Sequence, residues 1–125
     1  MNDDTRELLD DILRRWHNWS AGYRAIADVG SSPMFRQAKS GRQYESQYEI
    51  AEHQIDDDAM AAVDFHVYEL EPMHRTALQI NARNIATGRS VWTSARLPTD
   101  LQARAVLLGE ARTALAGRLV VAGIL

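Results

Sequence analysis

TDLQARAVLLGEARTALAGRLVVAGIL, residues 99–125, carries a single apolar seam. Leu101, Ala105, Leu108, Arg112, Leu115, Leu119 and Ala122 follow one another at intervals of four, three, four, three, four and three residues. An α-helix turns every 3.6 residues, so this rhythm gathers them along one side. Thr99 and Gln102 have capping-box spacing, in which hydroxyl and amide satisfy free backbone N–H groups. Pro98, just before the cap, cannot extend a helix backwards. The stretch therefore predicts a helix from Thr99 to near the chain end.

Arg112 interrupts the seam. At such a position one polar residue can fix the register and partner of a coiled coil. Alternatively the seam bends away and the guanidinium reaches water along its apolar stem. The tail LVVAGIL is apolar on every side, so it is buried in this domain or packed against a second copy. On the second-copy reading the terminal helix makes a homodimer, with Arg112 and Leu119 in the interface.

Upstream, residues 4–20 predict a helix capped by Asp3, Asp4 or Thr5 and ended at Gly22. Leu9, Ile12, Trp16 and Trp19 form its stripe, widened by Leu8 and Leu13. Trp16, Trp19, Phe35 and Trp92 could stack on bases, but packing a small bundle explains them more simply. Trp19 is the exception, placed at a helix end where a partner protein can reach it.

Residues 22–55 show no clear period, which marks an irregular connection. Within it Ser32-Pro33 can open a short helix through Lys39, ended by Ser40-Gly41. Tyr44, Tyr48 and Ala51 suit a helix face, and Tyr44, Tyr48 and Ile50 a strand face. Asp56, Asp57 and Asp58 then read as the capping start of a helix to Leu70, with Met60, Val63, Val67 and Leu70 inward. Pro72 opens a third helix to Ala86, with Met73, Ala77, Ile80 and Asn84 on one face, closed by Thr87-Gly88.

Four amphipathic helices and no convincing strand predict an all-α fold: a small helical bundle filling one domain, residues 1–125. Residues 1–21 are its N-terminal helix, 22–55 the irregular connection and 56–125 the helical C-terminal part.

Composition narrows the function. The chain has 125 residues, 46% of them hydrophobic, and no apolar run near the ~18 that span a bilayer. No membrane association is expected, and the acidic start MNDDTRELLDD is unlike a secretory leader, so a cytoplasmic location is. Zero cysteines exclude disulfides and thiolate metal sites. No histidine pair has the spacing of a helical zinc site, and the acidic triplet lacks a partner cluster. Nucleophile elbows and phosphate loops are absent, so no catalytic residue, metal or cofactor is expected, and the chain reads as not an enzyme.

Charge is divided along the chain. Residues 1–70 hold 7 Lys+Arg against 14 Asp+Glu, whereas residues 71–125 hold 7 Arg against 3 acids. A basic half suits an anionic partner. Residues 73–119 read as helix, turn, helix with arginines at 75, 83, 89, 96, 104, 112 and 118. In a helix-turn-helix the second helix enters the major groove with its N-terminus. Gln102 and Arg104 are then the base readers, and Arg83, Arg89 and Arg96 hold phosphates. Asp100, where a phosphate would approach, counts against this.

Several short motifs add a likeness. They are Arg-Trp-His-Asn-Trp-Ser at residues 15–20, Gly22-Tyr23, Ser32-Pro33-Met34-Phe35, Asp-Asp-Asp-Ala-Met-Ala-Ala-Val-Asp at 56–64, His74-Arg75 and Ala-Arg-Thr-Ala-Leu-Ala-Gly-Arg-Leu at 111–119. In that order the chain resembles small phage or prophage regulators of the Q-type late-gene antiterminator group. Their C-terminal part is similar to region 4 of primary sigma factors. The resemblance implies a DNA-binding regulator of transcription that acts on RNA polymerase, with the helix from Thr99 as recognition helix. Residues 89–99 depart from the pattern, with Ser90-Val91-Trp92-Thr93 in place of a compact turn helix. The alternative function is a non-catalytic protein-interaction module, such as an inhibitor of a host factor, without nucleic-acid binding.

Overall fold

In the computed structural model the chain is an all-α bundle of four helices: α1 Asp3–Val29, α2 Gln47–Tyr68, α3 Pro72–Thr87 and α4 Leu101–Val121. The structure describes residues 1–29 and 47–125, with side chains for 1–22 and 56–125. Among the described residues there is no strand. The short helix expected at Ser32–Lys39, its end at Ser40-Gly41, Phe35 and Tyr44 lie outside the described residues. Tyr48, Ile50 and Ala51 are helical, in α2, rather than on a strand.

α1 starts one residue before the expected caps. Asn2 Oδ1 accepts the Thr5 N–H at 2.8 Å, and the Arg6 N–H bonds Asn2 O at 3.0 Å. Asp3 and Asp4 fill the first turn, where the dipole favours negative charge. Gly22 does not end the helix, which runs on to Val29. An interior glycine costs a helix only about 1 kcal/mol, and Ala21, Arg24, Ala25 and Ala27 around it are good helix formers. Leu9, Ile12, Leu13 and Trp16 are buried, whereas Leu8 faces solvent.

α2 begins nine residues before Asp56, at Gln47, so the acidic triplet caps nothing. Gln47, Glu49, Ala51, Glu52 and Gln54 favour helix individually, without an apolar rhythm to announce it. The three aspartates sit exposed in mid-helix, and Asp56 pairs with Arg15 of α1 at 2.8 Å. Met60, Val63 and Val67 are buried as their spacing requires. Trp16 donates its indole N–H to Asp64 Oδ1 at 3.1 Å, a second tie between α1 and α2.

α3 is the central element, packed on α1, α4 and α2. Pro72 stands at its first turn. Ala77, Leu78, Ala82 and Asn84 are its buried positions. Met73, placed inward by sequence, is exposed, because the buried face is rotated towards Leu78 and Ala82. Gly88 ends the helix at φ 70°, a backbone state only glycine enters freely. The Gly88 N–H bonds Asn84 O, as does the Arg89 N–H at 3.1 Å.

Residues 88–100 cross to α4 without helix, pinned by buried Leu97 and half-buried Trp92. The N-cap of α4 is Asp100, one residue after the expected Thr99: its carboxylate accepts the Ala103 N–H at 3.0 Å. Ala111, Leu115, Ala116 and Leu119 are buried, but Leu101 is 70% exposed. Of the seam, Leu101 and Ala105 face solvent, Leu108 packs against the core, Leu115 and Leu119 are buried, and Ala122 is exposed again. The apolar tail divides. Gly123 at φ 77° turns the chain, the Gly123 N–H bonds Val120 O and the Ile124 N–H bonds Leu119 O. This Schellman closure folds Ile124 and Leu125 onto the core and leaves Val121 90% exposed.

Candidate anion-binding surface

The seven C-terminal arginines separate into two groups. Arg112 points inward: Nη2 donates to Asp10 Oδ1 at 2.7 Å and Nη1 to Asn81 Oδ1 at 2.9 Å, with Arg6 O at 3.5 Å from Nη2. Arg118 Nε donates to His66 Nδ1 at 3.3 Å. Arg75 lies 5.1 Å from the Tyr68 ring centroid, within cation–π reach. All three serve contacts between or beside helices.

Arg83, Arg89, Arg96 and Arg104 belong to the other group, at or within the connection of residues 88–100. Arg83 reaches from α3 and donates Nη2 to Val91 O at 3.2 Å. Arg104 reaches from α4 and stacks 5.1 Å from the Trp92 ring centroid. Arg89 and Arg96 are exposed loop residues, and among the described residues their side chains make no hydrogen bond or ion pair. Arg96 bonds only through its backbone N–H, to Ser94 Oγ at 3.3 Å. The single acid in this stretch, Asp100, is spent on the cap of α4.

Two clefts flank Arg83. One, of about 210 Å³, joins Arg83, Asn84, Thr87, Arg89 and Val91. The other, of about 350 Å³, is lined by Trp16, His17, Ser20, Tyr68, Ile80 and Arg83, among others. There burial lowers the His17 pKa from its ordinary 6.5, and the Arg83 charge lowers it further.

The expected site residues therefore fare differently. Arg83 and Arg89 share a cleft, and Arg83 and Arg104 hold adjacent loop residues. Gln102 is exposed on the first turn of α4, and among the described residues its side chain makes no hydrogen bond to the others. For the α4 terminus as a base reader, geometry is unfavourable. The Asp100 carboxylate takes one of its free N–H groups, that of Ala103, and puts a negative charge there, and Arg104 is turned back onto Trp92.

The interface reading of Arg112 and Leu119 is corrected. Leu119 is fully buried in the chain's own core, and Arg112 is held by Asp10 and Asn81. Neither can reach a second copy while the bundle is closed. Trp19 is half-buried against the core and has an interaction of its own, so it is not an open docking residue either.

Asn84 and Thr87 were not singled out as functional by the sequence. Their signal was faint: one polar residue on an apolar face, one turn before a helix-ending glycine. Among the described residues no group of three or more His, Asp or Glu side chains could hold a metal ion. No helix there is long and apolar enough to cross a membrane. Protein-family models, curated proteins and solved structures contain no match to this chain.

Proposed function

We propose that the chain is a non-catalytic regulatory protein that grips an anionic partner, duplex DNA, with its loop of residues 88–100. Arg83, Arg89, Arg96 and Arg104 supply the grip. One observation carries the reading: four guanidinium groups lie at a single connection, and two of them have no partner among the described residues. In a chain of net charge −3, these two cations of one loop are left available to an outside anion.

The mechanism is stoichiometric. Phosphate contacts release condensed counterions and give affinity without reading sequence. Base reading by Gln102 and Arg104 is not part of the proposal, because Asp100 and Trp92 engage that end of α4. The exposed acids of α1 and α2 offer a second surface, for a protein of the transcription machinery, as the phage-regulator likeness implies.

Anisotropy of a labelled duplex, followed across a salt series, tests this. Binding is expected to weaken steeply with salt, and each of Arg89→Ala and Arg96→Ala to reduce the log–log slope by about 1. No binding at low salt, or binding indifferent to both variants, sinks the proposal.

A second reading is a protein-interaction module. It is favoured by exposed Val106, Val120 and Val121 on α4, away from the bundle core. A partner held there would stay bound at salt concentrations that remove DNA, and would be released by Val121→Asp.

A further inference from the structure

The outward face of α4 lacks the charge that α1 shows to water. Along α1, Asp3, Asp4, Arg6, Glu7, Arg14 and Arg15 are exposed. In α4, every residue of which is described, Glu110 is the only exposed charged residue, and its carboxylate lies 3.6 Å from His74 Nε2 of α3. Arg104, Arg112 and Arg118 are turned onto Trp92, Asp10 and His66. Val106 and Val120 are instead 56% and 58% exposed. A surface helix normally gives its polar side to solvent, so α4 is apolar on the side it buries and on the side it shows.

Two glycines lie on the same face. Gly109 and Gly117 are exposed in mid-helix, where glycine weakens a helix relative to alanine. Neither has a positive φ, and a Cβ at either would meet nothing within 4 Å among the described residues. Backbone conformation and packing within the chain therefore leave both glycines unexplained. What a missing Cβ allows is close approach from outside. A groove of about 470 Å³ opens beside Gly117, lined also by Thr113, Ala114, Val121 and, from α2, His66.

The order of residues says what fits. Val106, Gly109, Thr113, Gly117 and Val120 are spaced three, four, four and three. At about 100° per residue they fall in one strip roughly 80° wide. The strip reads the same in both directions from Thr113, with glycine four residues away on either side and valine seven. A closed two-fold interface is self-complementary: where residue i meets residue j, j also meets i. Two antiparallel α4 helices crossing at Thr113 meet that condition. Gly109 then faces the partner's Gly117, and Val106 faces the partner's Val120. Small Ala105 stands opposite the partner's Val121. A foreign protein would not require the strip to match its own reversal.

We infer that the outward face of α4 binds a second copy of this chain, as an antiparallel pair with its two-fold axis at Thr113. Arg112 and Leu119 stay inside the bundle and take no part. The inference shares the exposed valines with the interaction-module reading, but it stands on the reversal symmetry of the strip and gives the face one occupant. The arginine loop is not used.

Sedimentation of the full chain across concentration, joined to thiol cross-linking, decides. The parent is expected to pass from one-chain to two-chain mass as concentration rises. Thr113→Arg sets two like charges on the axis and should weaken association about 100-fold, at an exposed position that leaves the single chain folded. The parent has no cysteine, so an introduced thiol is the only one. Thr113→Cys should oxidise readily to a linked pair, because the axis brings two Cα atoms within the ~7 Å that a disulfide needs. A mixture of Val106→Cys and Val120→Cys should give the mixed disulfide in preference to either symmetric one. One-chain mass at about 1 mM overturns the inference. So does a pair that survives Thr113→Arg, or a Val106→Cys chain that links to itself as fast as to Val120→Cys. If the chain stays single and Val121→Asp still releases a foreign protein, the interaction-module reading stands and the second copy falls. A pair linked through Thr113 covers the valines, and then the second copy stands and that reading falls.

Discussion

At the middle of α4, Arg112 reaches Asp10 of α1 and Asn81 of α3; at the start of the loop, Arg89 reaches nothing among the described residues. The two side chains are chemically identical. What differs is the surface each was given. Arg112 stands where three helices meet, and its side chain is only 15% exposed. A charge there must be paired, and the acidic helix in front supplies the carboxylate. Arg89 stands outside every helix, where nothing in the fold demands a partner. The lesson concerns charge counts. Seven arginines against three acids in the C-terminal part suggested one cationic face, yet the bundle uses some of them as internal fasteners. Only those at the loop remain for an outside anion.

That contrast can be broken by substitution. The largest effect is expected in the core beside Arg112. Leu115 is fully buried one turn further on, and Leu115→Ala should cost about 3 kcal/mol in urea unfolding, through lost transfer energy and an unfilled cavity. A loss below about 1 kcal/mol would mean that α4 is held chiefly by its ends. Arg112→Met comes next. It keeps the apolar stem and removes the charge-assisted bonds to Asp10 and Asn81, at a cost of about 2 kcal/mol. The half-exposed Asp10 can regain water, which keeps the figure below that of a fully buried pair. Asp100→Ala, at the loop's far end, removes a cap and should cost about 1 kcal/mol. Arg89→Ala should leave unfolding within about 0.5 kcal/mol of the parent. If Arg89→Ala cost as much as Arg112→Met, the division into fastener and free cation would be wrong.

Legibility followed the same division. Where an apolar rhythm met a matching neighbour, the sequence could be read directly: Met60, Val63 and Val67 on α2, or Leu115 and Leu119 on α4, are buried where their spacing put them. It misled where a local signal had two uses. Gly22 is a helix stop by type, but strong helix formers on both sides carry α1 through it. Asp56–Asp58 look like a cap, yet α2 already passes through them. Leu101 continues the seam on paper, but it is the first residue of α4, next to the loop, and it faces water. The register reading of Arg112 failed for a related reason. Periodicity shows that a residue faces inward, not whether a carboxylate 102 residues away will be there to meet it. Of the loop, sequence supplied the arginines but not the cleft, because the pairing of Asn84 with Val91 depends on the chain turning back at Gly88.

The smallest effect tests the residue between the two regions. Arg83 holds the loop through Val91 O and also faces His17 across the larger cleft. Burial lowers the His17 pKa first, and the positive charge of Arg83 adds to it. The unfolded chain therefore binds a proton on His17 over a range in which the folded chain does not. Stability from this residue is complete above the ordinary value of 6.5 and is lost as pH falls through the lowered one. His17→Gln should flatten that part of the stability–pH curve, read by urea unfolding on either side of the window. Arg83→Gln should return the His17 pKa only part of the way, since burial remains, and an NMR titration of the imidazole would follow it. Phosphate bound at Arg83 should act in the same direction by offsetting the charge. An imidazole that titrates identically in the parent and in Arg83→Gln would assign Arg83 to the loop alone, and the two clefts would be electrostatically separate.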